Sequence, residues 1–116
     1  MSDTIKTEAK GGIPDSEALK LAELVTVGEG AVVSRTLAKG KSGTLTLFAF
    51  DEGQELSEHS APFDAYVQVL MGTVAITIDG KPVEAGMGDV VLMPANIPHG
   101  LKALTPFKML LVMFKG

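Results

Sequence analysis

Two histidines, His59 and His99, are the only imidazoles in this chain, and no cysteine accompanies them. A neutral imidazole nitrogen is a metal ligand, and a ring that titrates near neutral pH is a general base. Without cysteine there are no thiolate nucleophiles, no disulfides and no thiolate zinc sites. Each histidine closes a turn-rich stretch: Gly53-Gln54-Glu55-Leu56-Ser57-Glu58 before His59, and Pro94-Ala95-Asn96-Ile97-Pro98 before His99. Taken singly, each would as readily hydrogen-bond its own loop as line a pocket. The other candidates are the carboxylates Asp64, Glu55 and Glu58 and the sole tyrosine, Tyr66. Glu55 and Glu58 read as solvated.

The elements that must position these residues are strands. Short segments rich in Val, Leu, Thr and Phe recur about every 8–12 residues, separated by glycine turns. The spacing predicts strands at Val25–Val27, Ala31–Ala38, Thr44–Phe50, Ala65–Met71, Thr73–Ile78, Lys81–Glu84, Asp89–Met93, His99–Leu104 and Phe107–Phe114. It leaves 51–64 as a loop. Asp79-Gly80 is a hairpin signal because both residues tolerate positive φ. Gly53, Gly72, Gly80 and Gly88 read as turn residues. Ser16 with Leu19, Leu21 and Leu24 suggests one or two helical turns. Met109 to Met113 is apolar on both faces, which suits either a central strand or an interface. The pattern is all-β, a sandwich or closed barrel, with residues 1–20 as a loose N-terminal arm and 21–116 as one domain.

The totals narrow the function classes. A 116-residue chain with 46% hydrophobic and 21% charged residues forms one globular domain. A net charge of −4 with scattered lysines argues against nucleic acid as a partner. No apolar run is long enough to span a membrane, so no membrane association is expected. The first twelve residues carry Asp3 and Glu8 and lack an apolar core, so they do not read as a secretory signal. A cytoplasmic location is the expectation.

The motifs around the two histidines resemble the cupin family. Gly53, His59 and Gly72 fall at the spacings of the first cupin motif. Gly88, Pro94 and His99 fall at those of the second, with Asn96 where the family has glycine. The likeness covers about residues 44–114. It implies a double-stranded β-helix, or jelly-roll barrel, with His59 and His99 at the family's metal position. Metal-dependent cupins use three His and one Glu; here the second His position is Ala61 and the carboxylate position Ala65. The Asn that follows the last His in the motif is Ala103. The resemblance therefore implies a weakly held divalent ion (Zn, Mn, Fe or Ni) on His59 and His99, or none, with Asp64 or Gln68 as a candidate third ligand. Strict alternation turns both of those outward, and a bulge near Pro62-Phe63 would reverse that for Asp64.

The expected function is binding of a small molecule in the barrel. His59 and His99 form its polar end, and Ala61, Ala65, Val67, Val69 and Met93 line its wall, joined by Met109 or Met113. The alternatives are a metal-dependent enzyme of dioxygenase or isomerase type on a two-His site, and a metal-free, epimerase-like enzyme with a histidine base. In that last case Asp64 and Tyr66 would have to converge on a histidine. A storage or structural role is a third class. Small cupins are commonly homodimers, and a homodimer is expected here.

Overall fold

In 64–71 and 73–78, buried apolar residues alternate with less buried ones, as strands with one face in the core require. The structure is a computed structural model that describes residues 5–7 and 12–115. The strands are β1 (Ile5–Thr7), β2 (Val32–Gly40), β3 (Gly43–Phe50), β4 (Glu55–His59), β5 (Asp64–Met71), β6 (Thr73–Ile78), β7 (Lys81–Gly86), β8 (Val90–Met93), β9 (His99–Ala103) and β10 (Phe107–Phe114). Six form one sheet in the order β1-β2-β3-β10-β5-β8, and four form a second in the order β4-β9-β6-β7. β1 runs parallel to β2, and the other pairings are antiparallel. This is the all-β jelly-roll architecture expected from the motifs.

The two sheets enclose the main core. Phe48, Phe50, Val67, Val69, Phe107 and Met109 from the large sheet meet Val74, Ile76, Leu101 and Ala103 from the small one. Phe50 and Phe107 are wholly buried, with ring centroids 5.2 Å apart in a tilted arrangement. Burial of each such side chain contributes about 1.5–3 kcal/mol. β10 lies between β3 and β5, so it is a central strand of the large sheet.

A second, smaller core lies on the outer face of the large sheet. Val25, Ala31, Val33, Leu47 and Ala49 are buried there, with Leu21, Leu24 and Val27 packed alongside. The segment that covers them holds a single 3-10 turn at Leu21–Leu24. Cations from the sheet tie it down: Lys108 Nζ donates to the Ala22 carbonyl at 2.7 Å, and Arg35 donates to the carbonyls of Leu24 and Gly12.

Several expectations change. Val25–Val27 is not a strand; Val25 is a buried anchor of the cover, and its apolar pattern reflects packing without a ladder. Ser16 does not cap the helical turn, which starts after Lys20; Ser16 sits in a turn with φ 61°. The region 51–64, expected as loop, contains β4, whose polar sequence Glu-Leu-Ser-Glu-His hides it from propensity. Residues 1–4 and 8–11 of the expected N-terminal arm lie outside the described residues, and within the arm the backbone of Ile5–Thr7 pairs with β2. Asp79 and Gly80 have φ 53° and 77°, as a two-residue type I′ hairpin requires. Gly53, Gly72 and Gly88 also take positive φ. At Gly72 any side chain would also collide with the Pro106 carbonyl oxygen.

Candidate functional site

His59 ends β4 and His99 begins β9, and the two residues are direct cross-strand partners. A register shift between Leu56 and His59 marks an irregularity in β4 that re-aims the strand end. The imidazoles meet edge to face with centroids 4.6 Å apart. That separation lies within reach of a shared ion or a shared ligand. His99 is buried, with 3% of its surface accessible, whereas His59 is exposed at the mouth.

The loop before His99 is fastened to the segment after His59. Asn96 N–H donates to the Ala61 carbonyl at 2.7 Å, and Ala95 N–H donates to Asp64 Oδ1 at 2.9 Å. Asp79 N–H donates to the Pro98 carbonyl, anchoring the loop to the hairpin. Asn96 has φ 65°, the left-handed conformation that asparagine tolerates better than most side chains. This explains why it can stand where the motif has glycine.

Each imidazole is oriented by the backbone carbonyl two residues before it. His59 Nδ1 lies 2.8 Å from the Ser57 carbonyl, and His99 Nδ1 lies 3.1 Å from the Ile97 carbonyl. A carbonyl oxygen can only accept, so Nδ1 carries the proton on both rings and Nε2 holds the lone pair in the neutral form. Burial holds the His99 pKa below the ordinary imidazole value. Proximity to His59 lowers it further, while the bond to Ile97 opposes both.

A cavity of about 50 Å³ adjoins both rings. Its wall comprises Leu56, His59, Ala61, Ala65, Met93, His99, Leu101, Met109, Leu111 and Met113. Of the six residues expected to line it, His59, Ala61, Ala65, Met93 and His99 do. Val67 does not: it is wholly buried in the core and off the wall. Val69, also expected there, is likewise a core residue. Both Met109 and Met113 contribute, where one was expected. Sequence reasoning missed Leu56, Leu101 and Leu111. Leu56 lies on the unrecognised β4, and the other two required the register of β9 and β10.

The expected third ligands are absent from this site. Along β5, buried Ala65, Val67 and Val69 alternate with exposed Asp64 and Gln68, so the carboxylate and the amide lie on the outer face. Asp64 is engaged in holding the His99 loop. Tyr66 packs edge to face on Phe114, centroids 6.0 Å apart, on that same outer side. Asp64 and Tyr66 therefore do not converge on either histidine. No group of three or more His, Cys, Asp or Glu that could hold a metal occurs among the described residues. A resident divalent ion held by protein takes three or four ligands. Two imidazoles without a carboxylate do not fit it.

Comparison with known proteins agrees with this architecture. The family model described as "Cupin domain" matches residues 46–113. A conserved protein of unknown function from Streptococcus pyogenes is 38% identical, with 94% of this chain and 98% of that one aligned at a TM-score of 0.86. A cupin superfamily protein from Desulfitobacterium hafniense is 30% identical over 89% of this chain and 94% of that one, with a TM-score of 0.84. A cupin 2 conserved barrel domain protein from Leptotrichia buccalis is 42% identical over 84% of this chain and 47% of that one, with a TM-score of 0.81. No curated protein matches.

Proposed function

The chain belongs to the cupin family, and we propose that its barrel binds a ligand of few heavy atoms at the His59–His99 pair, without a resident divalent metal. The observation that carries this reading is the cavity wall. Its side chains are apolar except for the two imidazoles, and each imidazole has its Nδ1 proton committed to a backbone carbonyl. What remains for a ligand is a pair of Nε2 lone pairs in a small, largely apolar space. Pockets for drug-sized organic molecules run to about 300–1,000 Å³. A cavity of about 50 Å³ suits something far smaller, held by donating to, or accepting electron density from, those two nitrogens.

The test is a screen of small amides, alcohols and azoles by thermal shift, paired with imidazole ¹⁵N spectra of the two histidines. The expected result is a rise in melting temperature with movement of the Nε2 resonances, both lost in His59→Ala and His99→Ala. If no compound moves either imidazole at millimolar concentration, the reading is wrong.

A catalytic version of this site rests on His99. Burial favours its neutral form, which is the form a general base needs. Such a base would work without an Asp–His–Tyr relay, since Asp64 and Tyr66 lie on the outer face. A two-His metal enzyme would need its remaining ligands from substrate and water.

We also place this barrel in a cytoplasmic homodimer. The absence of cysteine suits a reducing compartment. Leu45, Val90, Leu92 and Phe114 are exposed apolar side chains on the outward parity of the large sheet. A cluster of this kind favours a protein partner.

A further inference from the structure

Ala65, which stands where the family's carboxylate ligand would be, is flanked by methionines. On the inner face of the large sheet Ala65 pairs with Met93 on β8 and with Met113 on β10, so the three form one row across adjacent strands. Directly opposed residues on neighbouring strands place their Cβ atoms about 4.5–5.5 Å apart. Two flexible thioether chains therefore border the space that a carboxylate at position 65 would fill. Met109 lines the same cavity. The wall thus offers two imidazole nitrogens and up to three thioether sulfurs, and no oxygen ligand from a side chain.

Such a donor set selects by softness and by charge. Thioethers are poor partners for hard divalent cations and good ones for monovalent copper. All five donors are neutral when both imidazoles are, so nothing nearby offsets the charge of a buried ion. The cost of burying an ion rises with the square of its charge, so a monovalent cation incurs roughly a quarter of the cost of a divalent one. Nδ1 protons fixed on the Ser57 and Ile97 carbonyls leave Nε2 as the coordinating atom on both rings.

From this we infer that the cavity is a binding site for a soft monovalent cation, reduced copper above all, held by His59, His99 and a thioether from Met93 or Met113. The inference rests on the proposed cavity binding and names its ligand class.

The test uses untagged full-length protein, titrated without oxygen with Cu(I) against a colorimetric chelator, and in parallel with Ag(I) as a redox-silent probe. One ion should bind per chain, with Zn(II) binding much more weakly, and His59→Ala or His99→Ala should abolish uptake. The pair Met93→Leu with Met113→Leu preserves volume and should fold normally. It should weaken Cu(I) and Ag(I) binding by about tenfold or more, and remove sulfur scattering from the X-ray absorption spectrum of the copper-loaded protein. Equal affinity for Zn(II), or unchanged affinity in the methionine pair, would overturn the inference. So would a failure to bind Cu(I) and Ag(I). In that case, small neutral compounds that still move the imidazole resonances would leave the cavity reading standing while the ion assignment falls.

Discussion

Restoring the two missing ligands should convert this barrel into a divalent-metal protein whose stability depends on the ion. The perturbation is Ala61→His together with Ala65→Glu. Ala65 is 2% exposed and faces the cavity, so a carboxylate placed there enters a space without a cationic partner. An uncompensated buried charge costs about 3–5 kcal/mol. For a domain of this size, 1 kcal/mol corresponds to roughly 4–8 °C in melting temperature, so the metal-free variant should melt at least about 12 °C below the parent. Ala61 is only half-buried near the mouth, so its replacement alone should change stability little. A divalent ion at a hundred times its dissociation constant returns about 2.7 kcal/mol. Differential scanning calorimetry with and without Zn(II) or Mn(II) measures both steps. The double variant should recover most of its loss on adding the ion, and the parent should not respond. If the double variant is stable without metal and indifferent to it, residue 65 does not face His59 and His99 as the register implies.

Other expectations follow from individual residues. His99 has a folded-state pKa below its unfolded one, so it contributes fully above the ordinary imidazole value and destabilises the fold as pH falls through that value. Urea midpoints measured from pH 8 to pH 5 should drop in the parent and drop less in His99→Gln. Asn96→Ala should cost about 1–2 kcal/mol because of its left-handed φ, and Asn96→Gly should be close to neutral; thermal unfolding of the two variants decides this. For the proposed homodimer, Leu92→Glu with Phe114→Lys on the outer face should lower the light-scattering mass from that of a dimer to that of a monomer while leaving the far-ultraviolet spectrum unchanged, and a parent that already scatters as a monomer refutes that proposal.

Much of the site was legible because its parts are constrained locally. The glycines at 53, 72, 80 and 88 mark backbone conformations that other residues adopt at a cost, and spacing between such points survives wherever the fold does. His59 and His99 sit at the cupin-motif spacings from those glycines, so their meeting was implied by the resemblance to that family. β4 was not legible, because a strand end with Glu55, Ser57, Glu58 and His59 has little of the apolar alternation that betrays a sheet. Val25–Val27 misled for the opposite reason: an apolar stretch can bury itself as a cover without pairing. Alternation along β5 correctly turned Asp64 and Gln68 outward. It also turned Val67 inward, but it could not tell a cavity wall from solid core further along the same face. That distinction depends on how deep a side chain lies between two sheets, a quantity absent from any single segment.

The large sheet works as a partition. Its inner face closes the histidine cavity and its outer face carries the covering segment, tied by Arg35 and Lys108 to backbone carbonyls of that segment. The two cores share strands but no interior space. The cover can therefore lift as a cooperative unit of its own, breaking a handful of bonds and exposing Val25 and Leu47. The cavity opens fully only when the sheets themselves part, at a cost near that of global unfolding. Amide exchange should be fast around Leu21–Leu24 and slow in β9 and β10, so His99, at the start of β9, belongs to the slowly opening part of the molecule, while His59 ends the edge strand β4.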